Sequence, residues 1–587
     1  MLIKGMAYAV AYGIPIPMVR EELLRLRSRI NELLRDREAA VNILLNMDRE
    51  FPYVHLGSSL ASLDILNVLV RILRRSGKCR DWFILSIGHV APALYAILAV
   101  MGYFKPNELL TVNQLDSRIS THADNMDIPF IDATTGSLGQ GLSMGVGLAL
   151  RNRLMGCEDG FVYVLMGDGE LNEGQTLEAA ATAVKYGLRN LIAIISLNGF
   201  QLDGPTSSIK PINYVRVFEA MGWRVLTGNG HDYEEIMALL TKALEIGGPI
   251  AIFLSTIRGR GIRQLENSHK QTLNAPPRPQ FSMREALGLT LARLGEEIEN
   301  LVVVTADVGE STRARYFGER FPSRYFNVGI SEQDLIGVAA GLAIGGLIPV
   351  VTAYAMFMMR GFEQIRNSIG RMNLNVKLVA THAGLSDFAD GPSHQALEDI
   401  ALMRSLSNFV VVAPADAWDV ERIIPRIVEY RGPVYVRIGR DYSPPITMDL
   451  DYQFRIGEVY PILDGSDIAI MGHGPVLYHA VNAAQNLRSM GISAAVYNVP
   501  TIKPLNEYEV TKIAQGFGSI LVVEEHSPRG GLGSAIAEIV SGLSRVRVLG
   551  VDSYGHWGRG EDELIRFYGL DEEAITNEAL KLLRNYV

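Results

Sequence analysis

Asp168, set between Gly167 and Gly169 with Glu173 and Gly174 just downstream and Asn198 thirty residues on, offers one carboxylate and one amide oxygen where two β-strands should end. The flanking residues carry that reading. Phe161 to Met166 and Leu191 to Leu197 are short apolar runs rich in strand formers, and Gly174 to Tyr186 between them has the composition of a helix. A right-handed βαβ crossover returns the second strand parallel to the first. Both side chains then emerge at the carboxyl edge of the sheet, where open α/β sheets bind ligands. Mg²⁺ takes about six oxygen ligands, few of them carboxylates, and leaves places for phosphate and water. The pair therefore suits a metal-bound diphosphate. Gly167 and Gly169 permit close backbone approach, and Glu170 to Gly174 is expected to open a helix whose first amides favour an anion. Gly-Asp-Gly alone is more often a tight turn; the spaced Asn198, with Gly204 closing Gln201-Leu202-Asp203-Gly204, gives the pattern its weight.

The elements that must position these groups are legible as alternating strands and helices. A chain of 587 residues needs two or three α/β units, because single cores stop growing near roughly 250 to 300 residues. Apolar runs recur at 301–305, 348–352, 376–380, 410–413 and 434–438, and again at 468–471, 494–499, 520–523 and 546–551, with helical stretches interposed. Such alternation predicts an α/β fold of consecutive doubly wound domains with mostly parallel sheets. Gln271 to Gln280 and Tyr442 to Pro445, punctuated by proline, read as linkers. No internal repeat or low-complexity tract is visible.

Composition excludes several classes. Hydrophobic residues make up 48% and charged ones 20%, and no apolar run reaches membrane-spanning length. Ala7 to Val19 is apolar but broken by Gly13, Pro15 and Pro17, so it reads as a capped arm and not a signal. A net charge of −9 argues against a nucleic-acid surface, leaving anionic substrates to local Arg and His clusters. The two cysteines, Cys79 and Cys157, are too few for a disulfide framework and far apart, which fits a reducing cytosol or simple indifference to redox state; a cytoplasmic location is expected. The histidines show no zinc-site spacing.

The Gly-Asp-Gly and Asn198 pattern resembles the thiamine-diphosphate signature, and the text around it is similar to transketolases along nearly the whole chain. The resemblance implies a diphosphate-binding domain over 1–270, a pyrimidine-binding domain over 281–445 and a C-terminal domain over 455–587, with the wording of two-subunit forms joined end to end. It implies thiamine diphosphate and Mg²⁺, replaceable by Ca²⁺ or Mn²⁺, as cofactors, with Asp168, Asn198 and Phe200 as metal ligands. Gly136, Leu138, Gly167, Gly169, Glu173 and Asp307 would line the cofactor. The loop 134–141 (Thr-Thr-Gly-Ser-Leu-Gly-Gln-Gly) is also where transketolases differ from deoxyxylulose-phosphate synthases. Asn327 to Gln333 matches the segment whose glutamate, here Glu332, bonds N1′ of the aminopyrimidine; read without the resemblance, Glu332 is a first-turn helix acid behind an N-cap Ser331. Tyr354 and Phe357 take the positions of aromatics that stack on the pyrimidine, Tyr standing where Phe is more usual.

The same likeness assigns the substrate channel. His55, His89, His122 and His394 align with histidines that touch the cofactor or sugar hydroxyls and act in catalysis, and His382 keeps a spacing of twelve from His394. Asp390 would read a ketose hydroxyl. Arg284, Ser311, His382 and Arg440 would hold the sugar's terminal phosphate, for which the planar guanidinium is apt. His269 is a further channel candidate, and Ser196 stands where aspartate is common beside the metal ligand. The implied reaction moves a two-carbon ketol unit from a ketose phosphate to an aldose phosphate, in a homodimer with active sites at the subunit interface. A lyase of the deoxyxylulose-phosphate synthase kind and a non-catalytic thiamine-diphosphate-binding scaffold are the alternatives.

Overall fold

In the structure, a computed structural model, residues 18–157, 159–268, 270–274, 282–440 and 442–584 are described. The arm up to residue 17, His269 and the later half of the first linker lie outside these residues. The chain divides into two compact units, Met1–Pro277 and Arg278–Val587.

The first unit is built on five strands: β1 (Trp82–Leu85), β2 (Val162–Gly167), β3 (Leu191–Leu197), β4 (Arg224–Asn229) and β5 (Ile250–Ser255). They pair in the order β1-β2-β3-β5-β4, every pair parallel. β2 and β3 are buried on both faces, which is why they read as continuous apolar runs instead of alternating ones. The helix between them spans Gly174–Lys185. Its neighbour Gly141–Leu154 is seated on β2 through Gly145, where a Cβ would fall 2.6 Å from Val164. The described start of the first linker is docked on buried Asp48, which accepts from the Thr272 hydroxyl, from Leu273 at 3.3 Å and from the Asn274 amide at 2.8 Å.

Cys79 and Cys157 form a disulfide, with their Cα atoms 5.0 Å apart. The expectation of unpaired thiols is thereby corrected. β1 and β2 are adjacent and parallel, so the residues preceding each strand meet at one edge however far apart they lie in sequence.

The second unit holds two sheets. β6 (Leu301–Thr305), β7 (Tyr325–Asn327), β8 (Ile348–Tyr354), β9 (Lys377–Thr381), β10 (Val410–Val412) and β11 (Val434–Arg437) form one; β12 (Tyr460–Leu463), β13 (Ile468–Gly472), β14 (Ala494–Asn498), β16 (Ser519–Val523) and β17 (Arg545–Leu549) form the other. The second sheet runs β12-β14-β13-β16-β17, antiparallel only at β12. A short strand from beyond the second linker, β15 (Thr501–Lys503), leaves its neighbours and adds to the edge of the middle sheet, antiparallel to β10. The middle sheet therefore runs β15-β10-β11-β9-β8-β6-β7. The second linker is likewise held, Asp416 accepting from the amides of Ile446 and Thr447 at 2.7 and 2.6 Å. No helix of the described residues is long and apolar enough to cross a membrane.

Candidate functional site

In the first unit, Gly167 pairs with Ser196, so Asp168 and Asn198 leave neighbouring strand ends on the same edge. The Asp168 carboxylate is 4% exposed. Its Oδ2 accepts from the Gly199 amide at 2.7 Å and the Thr206 hydroxyl at 3.4 Å, and its Oδ1 from Gly169 at 3.1 Å. These donors are neutral, and burial pushes the acid up to about 6. Asn198 Oδ1 accepts from the Phe200 amide at 2.9 Å, and Gly199 takes the left-handed φ of 77° that this turn requires. The loop closes where Phe200 bridges Pro205 and Gln201 donates to Gly204 at 2.8 Å. A buried carboxylate with neutral donors, beside an amide oxygen and a backbone turn, is a hard oxygen set that fits Mg²⁺ or a similar divalent ion.

The anion-binding helix expected at Glu170 begins later. A 3₁₀ turn over Gly169–Asn172 intervenes, and the α-helix starts at Gly174 with Glu173 in the N-cap position but making no side-chain cap. The Glu170 carboxylate turns inward and cannot serve a helix start. It accepts from the Gly167 and Gly139 amides, both at 2.9 Å, and from the Ser86 hydroxyl at 2.6 Å. One buried side chain thus ties the Gly-Asp-Gly turn, the 136–141 loop and the end of β1 together. Glycines make this approach possible: a Cβ on Gly88 would fall 2.7 Å from Gly136 N, and one on Gly139, whose φ is 83°, 2.6 Å from Glu173 Cβ. Leu138 is half-buried between them. Ser196 bonds sideways, to Thr256 at 3.0 Å and Ser62 at 3.3 Å.

The structure gathers three of the candidate histidines in this unit. The His55 ring centroid lies 5.3 Å from that of His89 and 5.5 Å from that of His122, with His89 and His122 6.5 Å apart. His55 stands at the start of helix Leu56–Ile72 with a left-handed φ of 44°.

In the second unit, Glu332 heads the helix Glu332–Ile344 and is 4% exposed. Its Oε2 has no hydrogen-bond partner, and the Arg360 guanidinium lies 3.8 Å away, beyond bonding distance. Ser331 does occupy the N-cap, yet its hydroxyl donates back to the Val328 carbonyl at 3.0 Å and does not cap the helix. A buried carboxyl oxygen without a hydrogen bond fits a ligand ring nitrogen when one of the two carries a shared proton. Asp307 lies 1% exposed with φ of 59°, its amide bonded to Asn327 Oδ1 at 3.0 Å.

Tyr354, Ser311, His382, Arg284 and Arg440 form one connected group. Arg284 Nη1 donates to the Ser311 carbonyl at 2.7 Å and lies 3.3 Å from His382 Nε2, while its Nε bonds the Arg440 carbonyl. Arg440 Nη1 donates to Asp387 at 2.7 Å. Burial and then the neighbouring charges of Arg284 and Arg440 hold His382 well below the usual histidine range. The neutral ring thus accepts from the guanidinium through Nε2 and faces Thr381 Oγ1 through Nδ1 at 2.7 Å. With only 1% exposure, His382 supports Arg284 from behind and presents little of itself outward. Tyr354 stacks on His382 at 3.7 Å and on Phe357 at 5.3 Å, and its hydroxyl, absent from a phenylalanine, bonds Ser311 Oγ at 2.7 Å. His394 meets Phe357 edge-on at 4.9 Å, with half-buried Asp390 before it on the same turn. Sequence reasoning missed Glu170 and Asp387, since nothing in their local text separates an inward carboxylate from an ordinary surface one.

Three domain families match the chain in succession: the transketolase thiamine diphosphate binding domain over 51–315, the transketolase pyrimidine binding domain over 279–444 and the transketolase C-terminal domain over 457–575. The fold is thus that of a thiamine-diphosphate-binding class. The transketolase of Rattus norvegicus is 31% identical over 552 residues, covering 84% of this chain and 88% of its own. A solved structure described as a split gene transketolase, an inactive β4 tetramer, is 39% identical and covers 52% of this chain and 98% of its own, with a TM-score of 0.48. Transketolase from Campylobacter jejuni is 21% identical, covers 94% and 99%, and gives a TM-score of 0.45. The chain belongs to the transketolase family.

Proposed function

We propose that the protein is a transketolase that moves a two-carbon ketol unit from a ketose phosphate such as xylulose 5-phosphate to an aldose phosphate such as ribose 5-phosphate, within pentose phosphate metabolism in the cytoplasm. The observation that carries this reading is the buried Glu332 oxygen at the head of its helix, which makes no hydrogen bond and faces the Arg360 guanidinium at 3.8 Å. Thiamine diphosphate, when bound, would supply a nucleophilic carbon for this chemistry. Asp168, Asn198 and Phe200 would hold a divalent ion beside the diphosphate. Glu332 holds a proton at the pyrimidine ring nitrogen, and Phe357 and Tyr354 exclude water from the ring. Arg284 and Arg440 receive the substrate phosphate, with His382 and Asp387 fixing their planes. His55, His89, His122 and His394 bind sugar hydroxyls and move their protons, and Asp390 reads one hydroxyl's configuration. The helix that Glu332 heads exposes Gly337 and Gly341, with space for a Cβ at each, so that a second copy can approach its backbone closely. We take the working form to be a homodimer with sites at the subunit interface.

The test is a coupled assay with xylulose 5-phosphate and ribose 5-phosphate, with and without Mg²⁺ and thiamine diphosphate. Turnover that needs both additions supports the reading, and equal turnover after chelation of metal and removal of cofactor sinks it. Pyruvate decarboxylation in the presence of glyceraldehyde 3-phosphate would instead favour the synthase-like lyase.

A further inference from the structure

The segment 382–399 carries His382, Asp387, Asp390 and His394, yet its only regular elements are the 3₁₀ turn Gly391–Ser393 and the helix start at Asp399. A largely irregular stretch keeps one shape only if its backbone groups find fixed partners. Some are internal or come from the middle sheet, such as Ala383 to the Ile438 carbonyl at 3.1 Å and Gly391 to the Asp387 carbonyl at 3.0 Å, and the others come from the C-terminal domain. Glu525 accepts from the Leu385 amide at 3.3 Å, Gly558 donates to the Phe388 carbonyl at 2.9 Å, and Ser527 donates to the Leu397 carbonyl at 2.7 Å. Gln395, 1% exposed, makes the tightest link: its Nε2 donates to the His556 carbonyl at 2.7 Å and its Oε1 accepts from the His556 amide at 2.9 Å. Gly555 has φ of 91° and no side chain, and a Cβ there would strike Gln395 Oε1 at 2.0 Å.

These donors and acceptors follow the carboxyl ends of β16 and β17, the edge at which open α/β sheets take ligands. The first amides of the next helix, Leu532–Val540, are already occupied, since Glu524 accepts from Leu532 at 2.7 Å and Gly533 at 3.1 Å. Arg437, from the end of β11, bonds the Ala396 and Glu525 carbonyls at 3.1 and 2.6 Å and so joins the two domains at this seam.

We propose that the C-terminal domain uses its ligand edge to anchor the 382–399 segment, and that Gln395 is a positioning residue that sets His394 for the reaction. The kinetic consequence rests on the ketol-transfer reading; the structural one does not. Gln is apt because the backbone of His556 needs an acceptor and a donor at once, and Glu can only accept.

The test compares the full-length holoenzyme with Gln395→Glu, which keeps the shape, and Gln395→Ala. Amide hydrogen exchange across 383–399 should rise about tenfold in both, with exchange in β6 and β8 unchanged. The value of kcat/KM for the ketose phosphate should fall about tenfold or more, chiefly through kcat, with thiamine diphosphate affinity within about twofold. Unchanged exchange in 383–399, or a rise spread evenly over the second unit, overturns the proposal. If Gln395→Ala fails to fold, the isosteric Glu variant carries the comparison alone. If the wild-type protein transfers no ketol unit, the functional reading fails while the exchange measurement still decides the anchor.

Discussion

Asp168 and Glu332 are both buried carboxylates near an element terminus, and their surroundings assign them different work. Asp168 takes three neutral donors from its own unit and turns toward the end of β3. We expect Asp168→Ala to abolish metal-dependent thiamine diphosphate binding, read by calorimetric titration with and without Mg²⁺; affinity within about twofold of wild type would contradict a metal role. One Glu332 oxygen makes no hydrogen bond and has only the Arg360 guanidinium, 3.8 Å away, beside it. Glu332→Gln should therefore bind the cofactor nearly as well, while kcat falls by about 10²- to 10⁴-fold. Ketol transfer at the wild-type rate in that variant removes the proposed mechanism. The placement of Asp168 and Asn198 was legible because each closely follows an apolar run and a helical stretch lies between, a strand–helix–strand pattern that returns the second strand parallel to the first. Glu170 was not legible. Its three donors come from Gly167, Gly139 and Ser86, which only the folded sheet assembles.

At the scale of elements, most strands legible in the sequence are buried on both faces, such as β3, β6 and β9, whose apolar runs leave little choice of structure, although the half-exposed β17 was legible too and the buried β5 was not singled out. β4 escaped because it is a half-exposed edge strand, and β15 because three residues borrowed by a neighbouring sheet carry no periodic signal. The first residue of β9 adds a charge that the apolar run conceals. Lys377 is fully buried, and its ammonium donates to Asn375 Oδ1 at 2.7 Å and to the Tyr430 and Gly432 carbonyls at 2.5 and 2.8 Å, all neutral acceptors. Burial lowers it to about 7 from 10.5. Between those values the unfolded chain still holds a proton that the folded chain has released, so stability rises with pH across this window and gains nothing from the group above it. Denaturation at several pH values should show this rise in wild type and a flatter profile in Lys377→Met. Parallel profiles would place the proton on Lys377 in the folded protein as firmly as in the unfolded one.

For the whole molecule, family membership and the succession of three domain families define the architecture, but the long-range staple in the first unit had no sequence signal. The two cysteines are separated by 78 residues, and count and spacing gave no reason to join them. The parallel pairing of β1 and β2 gives that reason, because each cysteine lies shortly before its strand and strand starts meet at one edge. A crosslink closing so long a loop removes entropy from the unfolded chain, typically worth about 2–4 kcal/mol. Reduction of the native protein, or the double substitution Cys79→Ser with Cys157→Ser, should lower the midpoint of the first unit's unfolding by several degrees, followed by calorimetry so that the transitions of the two units can be resolved. Protein denatured without reductant should yield no reactive thiol, and both cysteines should react after reduction. Two free thiols in the unreduced protein, with a midpoint indifferent to reductant, would show that the chain works with the pair open and would return Cys79 and Cys157 to ordinary neighbours at a strand edge.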